Sequence, residues 1–265
     1  NLSVHEISKK IIASKKSNII IQDPKNGRCN LVSSVDGIIT FQPNQLFSIN
    51  SVTNDIGIAS LKAFSKVKKN QIVASIKAIP FGIKKNNLQN IINICQECFK
   101  ILPFQKKNIH LIQTINQNTR KKILEKTLKV TKDRLSSCGI NKIVEKKCSH
   151  EIKSICAQLK KSVNEKADII LIFGTSAISD INDIIPQSII EINGTILRLG
   201  MPVEPGNLIL LANIKNSKKH ISIIGMPGCA RSKKENGVDW ILWRKLCDLK
   251  ISSDDINHMG NGGLL

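Results

Sequence analysis

Between residues 108 and 250, short apolar runs alternate with longer segments in which apolar residues recur every three or four positions. Apolar runs bounded by turn residues are typical of strands buried on both faces of a sheet, and the longer spacing is typical of helices with one buried face. Because strands alternate with helices, we predict an α/β fold with three layers, in which helices cover both faces of a mostly parallel sheet. Strands are predicted at 109–113, 142–148, 167–173, 195–199, 208–214 and 221–224, and helices at 119–138, 151–164, 183–191 and 240–247.

The first 85 residues show shorter runs separated by turn signals, which predict a small mixed α+β region that contains β-strands. The helix predicted there covers 4–13, and the strands cover 17–22, 31–34, 37–41 and 71–79. The predicted organisation is the mixed region at 1–85, a connecting helix within 86–104 (its helical spacing covers 88–101), the main α/β domain at 105–250, and a tail or linker to a further domain at 251–265.

The formal net charge of +20 comes mostly from scattered lysines, and the chain has no tyrosine, seven phenylalanines and two tryptophans. With so few aromatic rings on which bases could stack, a solvated lysine-rich surface is favoured over a nucleic-acid site. No apolar stretch reaches the roughly 18 residues of a membrane span, and no signal peptide is evident, so we expect a cytoplasmic protein without a membrane partner.

The eight cysteines are expected to be reduced in such a protein. Cys95 and Cys98 have the spacing of a CxxC pair, but no second pair accompanies them. Two buried thiols on one helical turn are therefore favoured over a zinc or redox site.

Two glycine loops follow predicted strands of the main domain. Gly174 ends the run at 167–173, and Gly225 and Gly228 follow the run at 221–224. Glycine lets backbone N–H groups approach a ligand closely, and the carboxyl edge of an open α/β sheet is where ligands bind. The two loops are therefore expected to line one crevice that accepts a phosphate-bearing ligand.

Polar side chains around these loops offer further chemistry. Thr175 and Ser176 supply hydroxyls, and Asp180 and Asp183 supply carboxylates. Asp183 has two interpretations of similar weight, as the N-cap of the next helix or as a ligand of Mg²⁺ or of a ligand hydroxyl. Arg231 is interpreted as a forked cation beside the second loop, with a surface salt bridge as the alternative.

Cys229 is interpreted as a small residue close to the ligand, with a nucleophile of lowered pKa as the less favoured alternative.

The main domain carries three motifs in a fixed order. The first is Ala-Asp-Ile-Ile-Leu-Ile-Phe-Gly-Thr-Ser at 167–176 with Asp-Ile-Ile-Pro at 183–186, and the others are Met-Pro-Val-Glu-Pro-Gly at 201–206 and Gly-Met-Pro-Gly-Cys-Ala-Arg-Ser at 225–232. In this order they resemble the motifs of molybdopterin-binding domains, whose first signature is Gly-Gly-Thr-Gly followed by Asp-Val-Thr-Pro, and which occur in molybdopterin adenylyltransferases and molybdenumtransferases. With Met-Gly-Asn-Gly-Gly-Leu-Leu at 259–265, the chain is most similar to bacterial molybdopterin-binding proteins that often precede a cytidylyltransferase-like domain.

The resemblance implies a MoaB/Mog-like domain that binds molybdopterin or the molybdenum cofactor during cofactor biosynthesis, with a nucleotidyltransferase as partner and homo-oligomers as the assembly. It implies a catalytic role for Asp180 and Asp183, with Asp183 as Mg²⁺ ligand. The cofactor-binding residues that it implies are Gly174, Thr175, Ser176, Pro205, Gly206, Gly225, Pro227, Gly228, Cys229, Arg231 and Ser232. Two alternatives stay open: a molybdopterin adenylyltransferase that uses ATP and Mg²⁺, and a nucleotide-processing enzyme that shares the fold.

The chain departs from the family pattern at three positions. Thr175 replaces the second glycine of the first signature, and Glu204 and Asn207 stand where lysines flank the Pro-Gly loop. Those lysines suit an anionic molybdate or phosphate, and Glu204 reverses the local charge, but backbone N–H groups at Gly174 and Gly228 can still cradle a phosphate. The sequence therefore predicts binding of the pterin phosphate rather than insertion of molybdate.

Overall fold

The computed structural model describes residues 8–9, 17–79, 90–91, 93–94, 98–216 and 219–265. It divides the chain into two compact units, Asn1–Phe104 and Gln105–Leu265. Of the helix predicted at 4–13, only residues 8 and 9 are described, and both are helical. Cys95 of the CxxC pair lies outside the described residues.

The first unit contains two antiparallel sheets, one with the strand order β1-β2-β6-β4 and the other with the order β5-β3-β7. All four strands predicted from the sequence are confirmed, whereas α1, β4 and β5 were not predicted. The elements are β1 (Ile19–Ile21), β2 (Arg28–Ser33), β3 (Gly37–Thr40), α1 (Pro43–Val52), β4 (Ile56–Ser60), β5 (Lys66–Val67), β6 (Ile72–Ala78) and β7 (Lys100–Pro103).

The helix predicted at 88–101, within the connecting segment 86–104, is wrong at its carboxyl end. Positions 90, 91, 93 and 94 are helical, but Lys100–Pro103 forms β7. In β7, Ile101 lies opposite Ile39 of β3, and both side chains are fully buried. Burial between paired strands outweighs the helical spacing of this segment, because strand formation depends on such cross-strand packing.

The second unit is built on one six-stranded sheet with the order β11-β12-β13-β10-β8-β9. Strands β13, β10, β8 and β9 are mutually parallel, and β12 and β11 extend the sheet in antiparallel fashion, so the sheet is mostly parallel as predicted. Its strands are β8 (Ile109–Ile115), β9 (Ile143–Ser149), β10 (Ile169–Phe173), β11 (Thr195–Leu199), β12 (Leu210–Asn216) and β13 (Lys219–Met226). Its helices are α2 (Lys121–Ser136), α3 (Ile152–Asn164), α4 (Ile184–Glu191), α5 (Gly237–Leu246) and α6 (Ser253–His258).

Helices lie on both faces of this sheet. Side chains of α3 and α4 form one apolar cluster with Ile112 of β8 and with strand β10. Gln113, the next residue of β8, donates from Nε2 to the carbonyl of Leu124 in α2. Because successive strand residues point to opposite faces, α2 lies on the face opposite to α3 and α4.

Residues 251–265, which the sequence predicts as a tail or linker, contain a short helix in the described structure. Helix α6 begins with a capping box between Ser252 and Asp255, and Ile256 is buried. Farther on, the N–H of Leu265 donates to the carbonyl of Glu204. Ile256 and Met259 are buried whereas Leu264 and Leu265 are exposed, and one buried position in a short helix with another just after it gives no periodicity that would predict the helix.

Within the residues that the structure describes, no helix has the length and apolar character that a membrane crossing requires.

Candidate functional site

The two glycine loops lie side by side at one edge of the sheet. Strands β10 and β13 are parallel neighbours, with Phe173 opposite Met226 at their carboxyl ends. Gly174 follows Phe173 directly, and Gly228 comes two residues after Met226. The two loops therefore share one edge of the sheet, as the sequence predicts, at the place where open α/β sheets bind ligands.

The first loop contains a closely packed glycine followed by exposed polar residues. A Cβ atom at Gly174 would lie 2.7 Å from the carbonyl oxygen of Ser176 and 3.0 Å from Cδ1 of Ile185. Beyond it, Thr175 is half-buried and Ser176 is exposed. Their hydroxyls and backbone N–H groups have no hydrogen-bond partner in the part of the chain that the structure describes. Gly174 thus serves packing, and the next two residues present donors.

Asp183 holds the first loop in shape. Its Oδ2 accepts hydrogen bonds from the backbone N–H groups of Ser179 at 2.8 Å and Asp180 at 2.9 Å. These two bonds hold the pKa of the Asp183 carboxyl below its usual range. Asp183 occupies the N-cap position of α4 as one interpretation expected, but its side chain bonds backward to the loop and does not cap the helix.

Each carboxylate of the first loop has one oxygen that accepts hydrogen bonds from the loop backbone, and the Mg²⁺ ligand role expected for Asp183 stays a prediction. Oδ2 of Asp183 is committed to two N–H groups, and Oδ1 of Asp180 accepts from the N–H of Asn182 at 2.7 Å. Among the described residues, no three His, Cys, Asp or Glu side chains are grouped as metal ligands. The catalytic roles expected for Asp180 and Asp183 stay predictions, and no step is derived through a metal.

The second loop has free space beside its glycine Gly228, whereas Gly174 in the first loop is closely packed. After the buried Pro227, residues Gly228–Arg231 form a 3₁₀ turn. A Cβ atom at Gly228 would meet nothing closer than Nη1 of Arg231, at 3.9 Å. The half-buried Cys229 has its pKa raised by burial and by the negative charge of Glu204. A nucleophilic thiol needs a lowered pKa, so that alternative for Cys229 is not supported.

Arg231 joins the two loops. Its Nη2 donates to the carbonyl oxygen of Gly174 at 2.9 Å, and its Nε donates to Oγ1 of Thr127 at 3.2 Å. The guanidinium also lies over the ring of Phe173, with Cζ 4.7 Å from the ring centroid. Since Nη1 is the atom closest to the Cβ position of Gly228, the guanidinium sits between the loops. These contacts differ from the surface salt bridge that was the alternative.

Two residues near the first loop were not among the predicted site residues. Oγ1 of Thr114 in β8 lies 2.9 Å from Nδ1 of His150, and it is also 3.3 Å from the carbonyl oxygen of Phe173. Cε1 of His150 would be 3.7 Å from a Cβ atom on Gly174. Burial lowers the pKa of His150, and the charge of Asp183 partly opposes this shift. The position of His150 just after β9, a strand with the same direction as β10, was the signal that could have found it.

The Pro-Gly loop at Pro205 and Gly206 packs against the start of α5. Gly206 has a φ of 134°. A Cβ atom there would lie 2.6 Å from the backbone nitrogen of Gly237, at the start of α5. The N–H of Gly237 donates to the carbonyl of Pro205 at 2.9 Å, so Pro205 and Gly206 support α5.

The predicted cofactor-binding residues therefore fall into two groups. At one edge of the sheet the structure brings together Gly174, Thr175, Ser176, Gly228, Cys229 and Arg231. It places five others in packing or at the margin: Pro205 and Gly206 against α5, Gly225 inside β13, the buried Pro227 before the turn and the exposed Ser232 after it.

No family model matches the chain, and no curated protein sequence matches it. Among solved structures, the chain is similar to the crystal structure of the tungsten cofactor synthesizing protein MoaB from Pyrococcus furiosus. The sequence identity is 12% and the TM-score is 0.34, over 54% of this chain and 89% of that chain. A likeness at this level concerns a mixed α/β architecture and does not extend to the roles of individual residues.

Proposed function

We propose that the second unit is a MoaB/Mog-like domain with three layers that binds molybdopterin, or the molybdenum cofactor, through its phosphate group during cofactor biosynthesis. The motif resemblance at 167–186 and 225–232 identifies the ligand class. The observation that carries the proposal is the guanidinium of Arg231, which lies between Gly174 and Gly228 at the crevice edge. A fixed cation between two glycine loops is an arrangement suited to a phosphate monoester.

The described residues supply donors of the kinds that a phosphate needs. Nη2 and Nε of Arg231 already donate hydrogen bonds to protein oxygens. Its Nη1 lies nearest to the open space beside Gly228. The hydroxyls and N–H groups of Thr175 and Ser176 lie on the other loop. Charge-assisted hydrogen bonds from a guanidinium are roughly twice as strong as neutral ones, so Arg231 is proposed as the main contact.

Calorimetry of the full chain with molybdopterin tests this function. We expect a dissociation constant of about 1 μM or lower. Gly228→Val fills open space in the ligand-free protein, so the fold is kept while the crevice is blocked, and the affinity is expected to fall about tenfold or more. Gly57→Val is the matched control, because a Cβ atom on Gly57 would have no heavy atom within 4 Å, so a side chain added there enters open space in the unit that does not contain the loops.

The same samples separate the alternatives. Absence of heat and of competition with the unmodified chain would exclude molybdopterin binding. Formation of adenylylated molybdopterin from ATP and Mg²⁺ would replace simple binding with adenylyltransferase activity. Turnover of a pyridine nucleotide or of ADP-ribose would indicate the nucleotide-processing alternative.

A further inference from the structure

Arg134 of α2 contacts the second loop at its carbonyl end. Its Nη2 donates to the carbonyl oxygen of Ser232 at 2.8 Å and to that of Ala230 at 3.4 Å. These carbonyls lie at the end of the 3₁₀ turn Gly228–Arg231 and just after it. Arg134 therefore bonds the same short turn that carries Arg231.

A buried ion pair fixes Arg134 itself. Its Nη1 pairs with Oδ2 of Asp239 in α5, and the two side chains are 6% and 5% exposed. The same Oδ2 accepts from the N–H of Asn236 at 3.0 Å, as part of the capping box of α5. One guanidinium thus links α2, the turn and the start of α5, at positions 105 residues apart in the chain.

This cluster is not optimised for stability. A buried ion pair gains little over apolar side chains of similar volume, because two charges must be desolvated. Two more buried donors of the cluster, Nε of Arg134 and Nδ2 of Asn236, have no partner among the described residues. Unsatisfied buried donors are unfavourable for stability. We therefore attribute the cluster to the conformation that it imposes on the turn Gly228–Arg231.

We propose that Arg134 is a positioning residue, which sets the turn Gly228–Arg231 so that Arg231 reaches Gly174 and stands ready for the ligand phosphate. The part that concerns the phosphate rests on the proposed function. Arg134 acts through Arg231: its bonds go to the turn and to Asp239, while Arg231 bridges the two loops.

Arg134→Lys is the decisive variant. A lysine keeps the positive charge beside Asp239, but its ammonium is a point charge that cannot reproduce the forked bonds to both the carboxylate and the two carbonyls. Asp133→Asn is the matched control, since it removes an exposed ion pair between the same helix and the same loop, Lys233 with Asp133 at 2.8 Å.

Hydrogen exchange of the Arg231 Nε–H, followed by NMR without ligand, is the first readout. In the unmodified protein this proton is bonded to Thr127 and should exchange slowly. We expect exchange about tenfold faster or more in Arg134→Lys, and molybdopterin affinity about tenfold lower, a factor that corresponds to the loss of one good hydrogen bond. The Asp133→Asn control should match the unmodified protein in both measurements.

Unchanged Nε–H exchange in folded Arg134→Lys would overturn the proposal. If the unmodified chain does not bind molybdopterin, the proposed function fails, while the exchange measurement still decides whether Arg134 positions Arg231. If Arg134→Lys does not fold, the neutral pair Arg134→Met with Asp239→Asn keeps an acceptor for Asn236 and is measured in its place.

Discussion

The two glycine loops follow neighbouring parallel strands, yet they are held in different ways. The first loop is held from within, because Asp183 accepts two N–H groups of its own loop and Gly174 packs against Ser176. The second loop has the backbone bonds of its 3₁₀ turn from within, and the side chain that bonds its carbonyls is Arg134 of α2. Gly228 of the second loop has open space where Gly174 has none.

This difference shows that a glycine after a strand has two distinct uses. One use is close packing of the loop on its own backbone, and the other is access for something outside the loop. The sequence pattern presents both glycines alike. Only the atoms around each Cβ position separate them, and Arg231 makes the pair of loops into one site.

The largest expected difference comes from alanine at the two glycines. Gly174→Ala places a Cβ against backbone, so we expect a loss of about 1–3 kcal/mol in the free energy of unfolding of the second unit. Gly228→Ala should change it by less than about 0.5 kcal/mol. Urea denaturation followed by tryptophan fluorescence measures this unit, because the only two tryptophans are Trp240 and Trp243. Equal losses in the two variants would contradict the distinction.

A smaller effect is expected at the carboxylate that holds the first loop. The pKa of Asp183 is depressed in the folded protein, so its stabilising contribution is complete above the unfolded pKa of about 3.9 and is lost as the pH falls through the lower folded value. Asp183→Asn should therefore be less stable than the unmodified protein at pH 7. The difference in the free energy of unfolding between the two proteins should narrow below a pH of about 4.

Urea midpoints measured across this pH range test the prediction for Asp183. A gap that stays constant from neutral to acidic pH would show that the carboxylate charge does not hold the loop.

The smallest expected effect concerns the link between the loops. Thr127→Val removes the oxygen that accepts from Nε of Arg231 and leaves that partly buried N–H without its partner. We expect a loss of about 1 kcal/mol in the free energy of unfolding, with weaker molybdopterin binding. Thr131→Val, on the same helix, is the control, because its hydroxyl donates to the carbonyl of Thr127 and stays within α2. Equal binding by both variants would argue against a role of Thr127 in the site.

The sequence predicted the central strands of the second unit well. The apolar residues at 169–173, and those at 221–224 with Ser222 among them, could be read locally as strands, and the alternation of strands with helices predicted a mostly parallel sheet. The short elements α1, β4 and α6 were missed, because each has only one or two buried residues and so gives too short an apolar pattern. The helix predicted to reach Ile101 failed because pairing with β3 decided that segment.

Within the candidate site, Gly174, Gly228 and Arg231 lie at one edge of the sheet as the sequence predicted, but the sequence could not assign their hydrogen-bond partners. His150 was left out, since its neighbours Thr114 and Gly174 come from two other strands. Gly206 was taken for a ligand contact, whereas its close neighbour is Gly237.

By itself, the sequence determined the α/β pattern of the second unit, the two loops and their common edge, because apolar runs and turn residues act over a few positions. Tertiary structure alone decided which hydrogen-bond donors at the two loops have a partner within the protein and which have none among the described residues. The bonds that settle this point join residues 57, 104 and 105 positions apart, from Arg231 to Gly174 and Thr127 and from Arg134 to Asp239. Such contacts depend on how helices pack on the sheet, and no local pattern encodes them.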